Sequence, residues 1–173
     1  MNNQNQKELE LLLKLGALPK HMTKHHGTDN LVEFVLHGMC KDAFGITKAA
    51  YFMNNSDFDI LRGVAGYHDV QSYCPIDNHW DEKYEFTLCM KEAEFNQLVR
   101  AFAHTSFKKG HSLSEKEVVE KIAHQLGFKD PMYHAWDLKY DNHGLFVFDH
   151  PGSSHVDNHL YDFLHMFSFC PVY

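Results

Sequence analysis

Two polar tetrads set between apolar runs constrain this chain more than any other feature. NNSD at 54–57 divides ITKAAYFM from FDILRGVAG, and DNHG at 141–144 divides MYHAWDLKY from LFVFDH. Asn and Asp hydrogen-bond to their own backbone and tolerate the left-handed conformations of tight turns, so each tetrad between runs rich in aromatic and aliphatic residues reads as a β-hairpin. Asp141 and His143 are accordingly assigned to turn geometry. A chain with two such hairpins builds an antiparallel sheet and needs helices to cover it.

The helices follow from periodicity. Leu31, Val32, Val35, Leu36 and Met39 recur at helical spacing over 30–44, and Phe95, Leu98, Val99 and Phe102 do so over 92–107. The next helix carries its own punctuation: Ser114 and Glu117 form a capping box, and Gly127 supplies the left-handed stop. A last helix is expected over 155–167. KYEFTLCM at 83–90 alternates and reads as an extra strand, and 67–81 as a loop. The expected architecture is α+β, an antiparallel sheet of two hairpins plus that strand, packed with about four helices. Residues 1–29 form an N-terminal helix (Lys7 to Leu15) and connector, and 30–173 a single α+β domain. V-E-x-x-x-H at 32–37 recurs at 119–124, and the two turn tetrads fall in the same alignment, which suggests a duplicated helix–hairpin unit. The helix–strand–strand order, with a glycine ending the hairpin, is similar to GAF and profilin-like sensory folds. That likeness implies architecture alone and assigns no residue a role.

With 173 residues, 44% of them hydrophobic, there is enough apolar material for a real core. A formal charge of −7 argues against attraction to nucleic-acid phosphates or anionic membranes. The start MNNQNQKELELLLKLGALPKHM lacks a basic leader and a long apolar run, so a cytoplasmic protein is expected. Cys40, Cys74, Cys89 and Cys170 are widely scattered, which in that compartment reads as free thiols.

Fifteen histidines are the compositional anomaly. On the last helix His155, His159 and Asp162 form one polar stripe, and Asp149 and His150 end the strand leading into it. On the first long helix Glu33, His37 and Cys40 stand at i, i+4 and i+7, with most of the remaining circumference apolar. Imidazole nitrogen and carboxylate oxygen suit a divalent transition metal, zinc or iron first, with Cys40 as a soft ligand. The expected centre is therefore drawn from Glu33, His37, Cys40, His150, His155, His159 and Asp162. An open coordination position would polarise a substrate or activate water. The bland reading of each stripe is a solvated helix face, or a core histidine bonded to backbone.

His21, His25 and His26 read as an exposed tract, His134 as a structural histidine among apolar neighbours, and Trp80 as a plug at the core edge. Cys74 and His79 make at most a weak zinc pair. Cys40 one turn beyond His37 raises thiol catalysis, but no oxyanion hole is marked. Nucleotide-loop, G-x-S-x-G and H-E-x-x-H patterns are absent. A rival from another class is a sensory or interaction module, whose 14 Phe and 8 Tyr would line a small-ligand pocket or a homodimer face.

Overall fold

The computed structural model describes residues 3–70, 76–106, 114–149 and 158–171. Both hairpins form: β1 (Lys48–Asn55) pairs with β2 (Ile60–His68), and β4 (Pro131–Asp137) with β5 (His143–Asp149). They join through β1 and β5, and β3 (Ala103–Thr105) adds to the outer side of β2, giving one antiparallel sheet of order β3-β2-β1-β5-β4. The two turns meet. Ser56 donates to the carbonyls of the second turn, Oγ to Asp141 O at 2.5 Å and its backbone N–H to Asn142 Oδ1 at 3.3 Å. Tyr140 and Asp141 there take positive φ.

Helices cover both faces. On one, α1 (Asn3–Lys24), α2 (Leu31–His37), α3 (Lys83–Glu92) and α6 (Asn158–Leu164) pack over Ala49, Tyr51, Ala65, Tyr67, Phe146 and Phe148. On the other, α4 (Glu94–Ala101) and α5 (Glu115–Leu126) pack over Ala50, Phe52, Leu61, Leu145 and Val147. The alternation of β1 and β5 thus feeds two cores, which is why these strands read as nearly unbroken apolar runs. The two hairpins repeat side by side across the sheet, whereas α2 and α5 lie on opposite faces, so helix placement does not repeat.

Four expectations are corrected. KYEFTLCM is helix α3, not a strand: Phe86 and Met90 are buried one turn apart, while Tyr84 and Leu88, which a strand would have placed beside them, are 72% and 42% exposed. A short apolar run fits both periods, and packing chose the helical one. The extra strand is instead β3, where the expected 92–107 helix ends at Ala101. The N-terminal helix continues to Lys24 and carries His21 with it. Finally, the first long helix changes pitch after His37: Gly38–Phe44 is π-helical and stops at Gly45 in the left-handed conformation, whose N–H bonds to Cys40 O.

One irregularity shapes the surface. Tyr51 pairs with Ala65 but Phe52 with Gly63, so Val64 is the extra residue of a β-bulge. Bulges twist a strand and redirect its side chains. At Gly63 and Gly66 nothing but hydrogen separates β2 from α4: a Cβ on Gly63 would sit 1.7 Å from Val99 O, and one on Gly66 2.7 Å from Val99 Cγ2.

Candidate functional site

Two regions concentrate polar chemistry. The first surrounds the π-helical segment. His37 (2% exposed) lies 4.6 Å, ring to ring, from His79 (4% exposed), with Tyr67 and Phe86 closing its other sides at 5.3 and 5.2 Å. His79 Nε2–H donates to Phe34 O at 3.2 Å, since a carbonyl can only accept, which turns the Nδ1 lone pair toward Asp42 Oδ2 at 3.9 Å. His37 Nδ1 is buried and finds no partner among the described residues. Burial pushes the His37 imidazole down to about 3, helped by His79 and Lys41. Burial likewise lowers His79 to about 4, against the Phe34 carbonyl bond, which raises it. Both rings are therefore neutral at pH 7.

His21 and His25 belong to the same cluster rather than to an exposed tract. His21 stacks on Trp80 at 4.9 Å, and His25 Nε2 bonds to Trp80 O at 2.9 Å. Trp80 itself is a core plug, as its sequence context suggested.

The other region is a cleft of about 840 Å³ on the same side of the sheet. Asp29, Asn30 and Val32 at the start of α2 form one wall, and Met53, Asn55, Phe58, Ile60, Arg62 and Val64 of the first hairpin form the floor. Arg100 of α4 reaches in at the end. The bulge at Val64 aims Arg62 and Val64 at this space. Arg62 has no charged partner among the described residues. Arg100 Nη1 donates to Glu33 Oε1 at 2.9 Å, and its side chain stays 57% exposed.

Glu33 anchors the back of the cleft. Asn96 Nδ2 donates to Oε1 at 2.9 Å, and Asn30 Nδ2 to Oε2 at 3.2 Å. Asn96 Oδ1 in turn accepts from Gly66 N–H at 2.9 Å, capping β2 where β3 no longer pairs with it. The buried carboxylate thus has three donors, one of them the Arg100 guanidinium, and these answer the desolvation cost that made it a candidate metal ligand.

The other expected ligands that the structure describes stand in separate settings. Cys40 is a fully buried free thiol whose pKa burial raises well above its ordinary value, which disfavours a nucleophilic thiolate. His159 is half-buried and Asp162 exposed on α6, and His150 and His155 lie outside the described residues. Asp149 accepts the backbone N–H groups of Lys129 and Asp130 at 3.0 and 2.9 Å, a structural use. Among the described residues no three of His, Cys, Asp and Glu are grouped so as to hold a metal ion. His134 lies 4.4 Å, ring to ring, from Tyr161 in a tilted contact, in keeping with a structural role. Cys40 and Cys170 are free thiols as expected, but Cys89 is disulfide-bonded. Pairing depends on tertiary proximity, which scattered spacing does not encode.

Sequence reasoning missed His79 as the neighbour of His37, because it lies in a short loop with no periodicity. It also missed the arginine pair. The available signal was Arg62, a charge inside the apolar strand ILRGVAG beside two glycines. No helix among the described residues is long and apolar enough to cross a membrane. Set against protein-family models, curated proteins and solved structures, the chain matches none.

Proposed function

We propose that this chain is a small-ligand-binding module, and that its cleft takes a small organic carboxylate. The observation that carries this reading is Arg62, a guanidinium without a charged partner among the described residues, in a cleft of about 840 Å³, within the size range of small-molecule sites. A planar carboxylate matches the guanidinium fork, while Met53, Phe58, Ile60 and Val64 supply an apolar bed for the rest of the molecule. Arg100, already half-committed to Glu33, has donors to spare for the same anion. Asp29 on the facing wall disfavours a dianion, which is why a monocarboxylate is preferred over a phosphate.

A panel of aromatic and aliphatic monocarboxylates, each beside its uncharged amide, tests this by thermal shift and calorimetry. Carboxylates should bind and raise the melting temperature where the amides do not. Arg62→Ala should weaken binding by about 10- to 100-fold, the worth of a charge-assisted bond. Arg62→Lys should restore only part of it. Equal binding of acids and amides, or indifference to Arg62→Ala, rejects the reading.

A second reading, favoured by the unpartnered Nδ1 of buried His37 beside another neutral imidazole, is a divalent transition metal, zinc or iron. His37 would hold it, with His150, His155, His159 and Asp162 as further ligands. Elemental analysis of protein purified without a histidine tag should then find a stoichiometric ion that His37→Ala loses. Metal-free protein whose stability ignores chelators rejects it. A cytoplasmic location is likewise a proposal: the free thiols Cys40 and Cys170 agree with it, and the disulfide at Cys89 weighs toward an oxidising compartment.

A further inference from the structure

Helix α1 carries leucines on two faces. Leu15, Leu18 and Met22, with Leu11 partly buried beside them, pack into the core. On the opposite face Leu9, Leu12 and Leu13 are 50%, 45% and 66% exposed. Residues 5–10 are exposed throughout. A helical stretch of that length holding so little of the body is marginal in water unless something covers it, and three leucines at i, i+3 and i+4 are the pattern of a helix-pairing face.

The charges along α1 point to what covers it. Glu8 and Glu10 lie in its first half, and Lys14, Lys20 and Lys24 in its second, with Lys7 the one exception. A second α1 laid antiparallel sets each acidic half along a basic half and opposes the two helix dipoles, whereas a parallel one sets like against like. About an axis between Leu12 and Leu13, the leucines of one copy meet those of the other, and each Leu9 faces Gly16, an exposed position with nothing within 4 Å of where a Cβ would be.

We propose that the protein forms a homodimer through this outer face of α1, two copies packing antiparallel about Leu12 and Leu13. No residue of α1 lines the Arg62 cleft, so the pairing does not depend on its ligand. One helix face is small for a specific interface, so dissociation constants on the order of micromolar to tens of micromolar are expected.

Sedimentation velocity on the full chain, from about 1 µM to about 1 mM so as to bracket that range, should show a reversible monomer–dimer equilibrium. Leu12→Glu should raise the dissociation constant at least about 30-fold, as for a central interface residue, with the far-UV circular dichroism unchanged. Under mild oxidation Leu12→Cys should cross-link. Leu9→Cys should not, its two copies standing roughly 10 Å apart along the axis, beyond the about 7 Å that a disulfide spans. A monomer throughout the range overturns the proposal, as does a dimer untouched by both Leu12→Glu and Leu13→Glu. Cross-linking through Leu9→Cys in place of Leu12→Cys overturns the antiparallel pairing. Co-sedimentation with anionic phosphatidylserine vesicles in place of self-association makes the face a lipid-binding one and likewise overturns it.

Discussion

Between pH 7.5 and pH 5 the folded protein should lose on the order of 4 kcal/mol of stability through His37 and His79 alone. Both rings are buried against aromatic side chains and held neutral, at about 3 and about 4 against an unfolded value of 6.5. The unfolded chain therefore takes up protons that the native state refuses. Their contribution is complete above pH 6.5 and drains away as the pH falls from there toward 4 and 3. Each ring accounts for about half of the loss at pH 5, roughly 1.4 kcal/mol per pH unit below 6.5. The surrounding charges do not rescue the protonated form. Lys41 opposes it in both rings, His21 and His25 oppose it at His79, and Asp42, the nearby carboxylate, is itself raised by burial. Urea unfolding at the two pH values measures the effect. His37→Phe, which keeps a ring among Tyr67, His79 and Phe86, should remove about 2 kcal/mol of the difference. Equal free energies at the two pH values, or a His37→Phe protein as acid-sensitive as the parent, would refute the buried-neutral assignment.

Gly63→Ala should be the most damaging single methyl group added anywhere along β2. The new Cβ would lie 1.7 Å from Val99 O and 2.7 Å from Val99 C, both backbone atoms of α4, so no rotamer change relieves the clash and the helix must lift from the sheet. Overpacking a core usually costs 1–3 kcal/mol. A clash with backbone belongs at or above the upper end, about 3 kcal/mol, or a fall of about 10 °C in melting temperature for a chain of this length. Gly66→Ala meets the far end of a side chain, Val99 Cγ2 at 2.7 Å, and should cost less. Because α4 carries Arg100 and Asn96, lifting it also loosens the hold on Glu33 and the end of the cleft. Gly63→Ala should therefore weaken carboxylate binding as well as stability. Melting temperatures in the order Gly66→Ala below Gly63→Ala would show that the helix does not sit as close as described.

What the sequence alone determined is local. The hairpins were legible because NNSD and DNHG carry their turn chemistry in adjacent residues, and helix α5 because Ser114, Glu117 and Gly127 cap it within its own span. The buried face of α2 was legible because its period is written in 31–39. Where one segment satisfied two periods, as KYEFTLCM does, the chain by itself could not choose, and the burial of Phe86 and Met90 chose for it.

The candidate site was decided by the tertiary structure. Glu33, His37 and Cys40 share one helix, and their spacing rightly marked them as buried groups in need of partners. Their actual environments come from residues far along the chain: Asn96 and Arg100 for Glu33, His79 for His37. Arg62 owes its place in the cleft to a bulge that no turn residue announces. Capping, turn and amphipathic signals act over a few residues and are written where they act. A buried polar group is satisfied by whatever the sheet order brings beside it, and the energies that set the order β3-β2-β1-β5-β4 are sums over two cores rather than properties of any segment.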